Sequence, residues 1–329
     1  MKKTAVIAAS VLFFVFVNVF LYTSVTRRLG NNYSGISQTK MVDVARYLPF
    51  EDTSDLARTG SSMHFSKEDD LPVLDGAAAL VPVYASVIDS VYPEGSVTYE
   101  GGSFSDDNQY GENFAEDSVM QYQNTIRGFD ALLDGSVDLF FTAHPSEKQM
   151  ETAKEKGIDI ELVPIGLEAF VFFVNKNNPV DSLTVDEIRG IYRGKITNWK
   201  EVGGADRSIN PLLRIKNSGS QTMMEKFMEN DMLKSRSIFA IFGASIGYSF
   251  RYYLSGMVAN DNVRMLSVNG IYPDAENIRN SRYPLTAAFY AACRKDNTNP
   301  NVPKLVDWLL SKEGQKLIEE CGYVAINPI

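Results

Sequence analysis

Apolar positions along this chain fall into runs of three kinds, and each kind predicts a different element. The first is an uncharged stretch from Thr4 to Thr26, whose centre (residues 5–22) is apolar apart from Ser10 and Asn18. It is long enough to span a bilayer and longer than most cleaved signal-peptide cores. Lys2 and Lys3 precede it and Arg27-Arg28 follow, so the positive-inside bias is weak. No Ala-x-Ala site follows it, and no nearby cysteine could take a lipid. Residues 1–29 therefore read as an uncleaved transmembrane signal anchor, with a cleaved signal peptide as the alternative. Residues 30–70 are rich in Asn, Ser, Thr and charge, and read as a tether ending in a loosely ordered lead-in packed on the body.

The second and third kinds alternate through the body. Leu71 to Leu74 is a short apolar run of strand length, Asp75-Gly76 is its turn, and Val83, Tyr84, Val87, Ile88 and Val91 recur at helical spacing. A Gly/Ser/Asp/Asn-rich loop (100–117) follows, then a helix from Asn124-Thr125 through Ile126, Phe129 and Leu132-Leu133 to a glycine stop at Gly135. Val137 to Thr142 is a buried strand, and Ala143-His144-Pro145-Ser146 turns into a helix from Glu147 to Lys156. Ile160 to Pro164 and Leu167 to Asn175 read as two further strands, and Thr184 and Glu187 open a capped helix ending near Gly194. This alternation predicts an α/β fold with parallel sheets. Ligands in such folds gather where strands end and helices begin, which selects loops 76–79, 142–145 and 217–222.

A chain of 329 residues exceeds one typical core, so two lobes are expected. The net charge of −9 argues against nucleic acid or an anionic membrane surface as partner. It also requires that any bound anion be held by local donors. Cys293 and Cys321 are the only cysteines; one disulfide and two buried free thiols both remain open. With only His64 and His144, and no zinc spacing, no metal and no cofactor are expected.

The richest chemistry lies in Arg214-Ile-Lys-Asn-Ser-Gly-Ser-Gln-Thr222. Ser218 with Gln221, and Thr222 with Glu225, both read as capping boxes, so a helix begins within 218–222. Its free N–H groups and partial positive charge attract an anion. Gly219 permits close approach of the main chain, Ser218 and Ser220 add hydroxyls, and Arg214 adds a fork of donors suited to oxyanions. Ala77 and Ala78 in the first loop could offer only backbone N–H groups. A capped surface helix beside an arginine is the plainer alternative.

Several stretches resemble the exported phosphate-type solute-binding proteins that serve ABC transporters. They are Gly166 through Gly204, Asp75-Gly76, Asn217 to Thr222, Ile246-Gly-Tyr-Ser249 and Tyr283-Pro-Leu-Thr286. The resemblance implies a two-lobed type 2 periplasmic-binding fold with the ligand cleft between lobes. It puts lobe one at 71–166 plus 270–329 and lobe two at 167–269, with crossings near Gly166 and Gly270. The family's anion-binding pattern is present as Arg214, Ser218 and Gly219, with Ser220 in place of a threonine. Thr125 matches a helix-start hydroxyl and Gly76 belongs to the first loop. Ala78 stands where the family has a hydroxyl, and Ala143 where it has an acidic residue. Thr142 and His144 flank that vacated position, and His144 is its candidate substitute, with a turn residue before Pro145 whose ring lies in solvent as the plainer alternative. Residues 232–244 are shorter than is usual.

The resemblance implies a non-enzymatic, monomeric extracytoplasmic protein that captures a small oxyanion, phosphate first, and delivers it to an ABC permease. Its expected place is the outer face of the cell membrane, held by the N-terminal helix, or secreted after cleavage. A membrane-anchored sensor or surface-interaction protein with an altered ligand is the alternative. A hydrolase is disfavoured, because acid–base chemistry at the 218–222 turn would need a positioned histidine or paired carboxylates and only His144 is available, and no Walker motif occurs.

Overall fold

The computed structural model describes residues 17–19, 42–102, 113–214, 218–229, 231, 244–257 and 261–327. Residues 1–16 and 20–41, which hold nearly all of the proposed anchor and the start of the tether, and the short 232–243 region lie outside the described residues. Among those described, no helix is long and apolar enough to cross a membrane.

The strands are β1 (Leu74–Gly76), β2 (Tyr99–Gly101), β3 (Asn113–Phe114), β4 (Leu139–Ala143), β5 (Ile160–Asn175), β6 (Ser182–Leu183), β7 (Ile209–Pro211), β8 (Ala244–Phe250), β9 (Val263–Met265), β10 (Ser267–Val268) and β11 (Thr286–Arg294). The α-helices are α1 (Val81–Val91), α2 (Asn124–Asp134), α3 (Glu147–Glu155), α4 (Val185–Tyr192), α5 (Gly219–Phe227), α6 (Ala275–Arg279), α7 (Asn301–Leu310) and α8 (Lys312–Glu320). Local signals account for many of their ends. Ser146 with Gln149, and Thr184 with Glu187, form reciprocal capping boxes on α3 and α4. Gly135 ends α2 in the left-handed region, at φ 86°.

The main sheet runs β1-β4-β11-β5-β8-β7, with β9 also pairing to β5. It is mixed, which corrects the expectation of parallel sheets. β1 and β4 are parallel, as are β7 and β8, but β11 is antiparallel to both β4 and β5, and β5 is antiparallel to β8 and β9. Parallel neighbours need a crossover connection within one lobe. β5 and β11 are long strands at the middle of the sheet, and they carry the chain between lobes instead.

A second correction concerns β5, which is one strand and not two. Pro164 and Gly166 suggest a break, since Pro cannot donate to a ladder. The ladder absorbs them by a register shift: Phe289 pairs with Gly166 and Tyr290 with Pro164, leaving Ile165 as the extra residue. Up to Ala169 the strand pairs with β11, and from Phe170 it pairs with β8.

Two main cores form around these two halves. The first gathers α1, α7, α8 and Ile165, together with Val42, Val44, Tyr47 and Phe65 from the N-terminal lead-in, which thus packs on the body. The second gathers residues 169–174, Ile191, Trp199, Met224, Phe227 and Tyr248. Ile278 and Tyr283 belong to the second core, and the Tyr283 hydroxyl donates to the Phe170 carbonyl. The return crossing therefore falls at the start of β11 and not at Gly270. Cys293 and Cys321 are free, buried thiols, which settles the disulfide alternative. Burial pushes them up to about 11 and about 12 respectively.

At the crossing Glu168 lies buried against Arg251, Nε to Oε1 3.2 Å. The same carboxylate accepts the N–H groups of Ala169 at 2.8 Å and Tyr252 at 3.0 Å, and Arg251 also donates to the Gly322 carbonyl. Burial raises the Glu168 pKa; Arg251 and the two N–H groups oppose that rise. Strand β5, the end of β8 and the end of α8 are thereby fastened at one point. Arg251→Met is expected to cost about 3–5 kcal/mol, because it leaves a buried carboxylate without its counter-charge. The double variant Glu168→Gln/Arg251→Met should cost clearly less, and urea unfolding of both proteins checks the difference.

Candidate functional site

The loop after β1 and the start of α2 come together on the first lobe. Ala77 donates its N–H to the Phe141 carbonyl at 2.8 Å, and a 3₁₀ turn follows at Ala78–Leu80. The Tyr323 hydroxyl donates to the Ala79 carbonyl and fastens this loop to the end of α8. Beside it Asn124 sits in the left-handed region at φ 60°, a conformation that asparagine tolerates better than most residues. Its side-chain oxygen accepts the Thr125 N–H at 2.7 Å and the Thr125 hydroxyl at 3.3 Å.

From the second lobe comes the start of α5. Ser218 caps it, its hydroxyl oxygen accepting the Gln221 N–H at 3.3 Å. The reciprocal half of the predicted capping box is absent, because Gln221 turns elsewhere. Its side-chain oxygen accepts the Arg214 N–H at 3.2 Å and the Tyr248 hydroxyl, and its amide nitrogen donates to Glu225 at 3.0 Å. Thr222 is inside α5 and caps nothing. Gln221 and buried Tyr248 thus hold the main chain of Arg214 against the helix start.

These pieces face one cavity of about 230 Å³. Arg214, Ser218, Gly219 and Ser220 line it from the second lobe, and Ala77, Ala78 and Thr125 from the first. Gly219 is open on this side: a Cβ there would come no closer than 3.7 Å, to Phe250. Gly76, Thr142 and His144, though expected at the site, do not line it. Gly76 is a packing glycine, since a Cβ there would lie 2.8 Å from the Tyr84 ring and 2.9 Å from the Phe141 oxygen. Thr142 is buried in the sheet opposite Tyr290. His144 is exposed, with Nδ1 2.9 Å from the Pro145 oxygen and its ring edge-on to Tyr290. The chain turns away after β4 and takes the imidazole with it.

Other lining residues are not visible as such in the sequence. Arg127 reaches the cavity from the first turn of α2, and Val42 reaches it from the lead-in. Phe250 and Tyr253 line it from the end of β8 and the π-helical turn after it. Arg127 was open to discovery, since it lies two places after a predicted helix-start hydroxyl. Among the described residues no group of His, Cys, Asp and Glu could hold a metal.

Comparison with known proteins now decides the family. The model of the PBP superfamily domain matches residues 107–313, more than half of the chain. The chain belongs to the PBP superfamily. It is 26% identical over 228 residues to the phosphate-binding protein PstS of Bacillus subtilis, covering 66% of this chain and 73% of that one. It is also 26% identical over 295 residues to protein SphX of Synechococcus elongatus, covering 78% and 86%. Among solved structures, a phosphate-bound one from Clostridium perfringens, named for phosphate ABC transport, aligns with TM-score 0.57 at 20% identity, over 78% of this chain and 99% of that one. That likeness shows the two-lobed fold. The superfamily is one of binding proteins and not of enzymes.

One ionisable group of this PBP-superfamily cleft lies just behind its lining. Asp75 is fully buried, and Oδ1 accepts the N–H groups of Gly76 at 2.6 Å and Gln123 at 3.2 Å, while Oδ2 has no partner. Burial pushes its pKa up to about 7, against the pull of those two N–H groups and of Arg127. A carboxyl raised on folding stabilises the fold fully only below its unfolded value, and that contribution is lost as pH rises through about 7. Asp75→Asn keeps the acceptor and carries no charge. It is expected to melt at least about 3 °C above the parent at pH 8, with the advantage gone by pH 4, as measured by circular dichroism.

Proposed function

We propose that this protein is an extracytoplasmic solute-binding protein that captures a small oxyanion, phosphate first, and presents it to an ABC permease. One observation carries the reading: the starts of α2 and α5, from opposite lobes, face a single cavity together with Arg214. Free N–H groups at helix starts, hydroxyls of Ser218, Ser220 and Thr125, and a guanidinium form a donor set for a small anion. Such a ligand, touching both lobes, would stabilise a closed arrangement over an open one. The names of the Bacillus and Synechococcus relatives and the bound phosphate of the Clostridium structure agree with it. In this reading the protein is a monomer, held at the outer membrane face by residues 1–29.

A sensor role has one observation in its favour. Val42, close to the tether, lines the ligand cavity, so the chain enters the body beside the site. Unchanged phosphate uptake after gene deletion, with loss of a membrane partner complex, would favour the sensor.

Calorimetric titration with phosphate, sulfate and molybdate tests the oxyanion reading, and absence of heat and of thermal shift with all three would defeat it. Arg214→Ala is expected to weaken the best of these anions by roughly a hundredfold or more, because it removes charge-assisted bonds of about 1.5–3 kcal/mol each. Arg214→Lys should recover only part of that loss.

A further inference from the structure

The cavity is divided in its chemistry. Arg127 and Arg214, one from each lobe, both line it, whereas among the described residues no Asp, Glu or His does. Much of the remaining wall is carbon, from Val42, Ala78, Ala79, Ile126 and Phe250. Two fixed cations suit a doubly charged anion. Inorganic phosphate near pH 7 retains at least one P–OH group, and that donor would meet only hydroxyls and amide oxygens here. An ester dianion has no P–OH left above its second ionisation, at about pH 6. It leaves no donor without a charged acceptor, and its fourth oxygen carries carbon that the apolar wall can cover.

Size argues the same way. A single water needs only about 10–15 Å³ of this kind of space, so a cavity of about 230 Å³ is roomier than a five-atom tetrahedral oxyanion requires. We infer that the preferred ligand is an organic phosphate monoester in its dianionic form, its phosphoryl group between Arg127 and Arg214 and its organic group against the wall of Val42, Ala78 and Ala79. This inference rests on the oxyanion reading of the same site and narrows it.

The test is calorimetric titration of the full purified chain at pH 7.5 with inorganic phosphate, sulfate, glycerol 3-phosphate and phenyl phosphate. At least one ester should bind roughly tenfold or more tightly than inorganic phosphate, the least that one extra buried carbon group contributes in an apolar pocket. Ala78→Leu, checked for folding by circular dichroism, should remove that preference, so that the best ester and inorganic phosphate bind this variant within about threefold of each other. The ranking of anions by the parent chain decides the matter even if this variant does not fold. Inorganic phosphate binding as tightly as both esters, or more so, overturns the monoester assignment while the oxyanion reading stands. No heat from any of the four anions removes both.

Discussion

The structure depends on one constraint: β5 is hydrogen-bonded to β11 over its first part and to β8 over its last, so both cores share a single strand. A strand in a ladder on both sides cannot be withdrawn from either core without breaking that core's sheet. The lobes are therefore joined by regular structure and not by a flexible linker, and their relative motion is confined to what this strand and β11 can bend. The bulge at Ile165 and the buried Glu168–Arg251 pair sit within a few residues of each other at that joint. A bulge twists a strand locally, and a buried ion pair tolerates little displacement before its desolvation cost goes uncompensated. Bending and fastening are thus placed together.

That joint explains the position of the cleft. Phe250 ends β8 within the ladder of β5, and the chain then passes through Arg251 into the turn that carries Tyr253. Phe250 and Tyr253 pack with the first core while β8 lies on the second, so the back of the cavity is made of the crossing itself. The helix starts of α2 and α5 stand in front of it. Each is oriented by its own lobe, through Asn124 on one side and through Gln221 and Tyr248 on the other.

Much of this was legible in the residues. Capping pairs such as Ser146 with Gln149 and Thr184 with Glu187 act within one turn, and a helix start of that kind can be read without knowing the fold. The stretch from Arg214 to Thr222 was legible for the same reason. What escaped is what distant partners decide. Pro164 and Gly166 look like a break until Phe289 and Tyr290 are seen to shift register around them. Gly76 looks like a glycine for a ligand until the Tyr84 ring is found against it. His144 has the right neighbours in sequence, yet the turn after β4 sends it to solvent. Val42 carries no local signal of a site, and Arg127 has only its place two residues after a helix-start hydroxyl, because the packing of the lead-in and of α2 is what brings them to the cavity.

A chain of net charge −9 that binds an anion must build its positive potential locally. In the oxyanion reading the cleft does so with two arginines and with helix starts, and among the described residues no carboxylate lines it. Asp75 is the near exception, since its carboxyl lies directly behind the first loop. When ionised it engages the Gly76 and Gln123 N–H groups and sets a negative charge in the field of Arg127. Burial opposes that state, so near neutral pH the group is divided between a neutral and a charged form. In the neutral form the field of Arg127 is left to the cavity, and in the charged form part of it is spent on the protein. The same desolvation that costs the fold stability at high pH therefore leaves more of the Arg127 charge to the cavity below about pH 7.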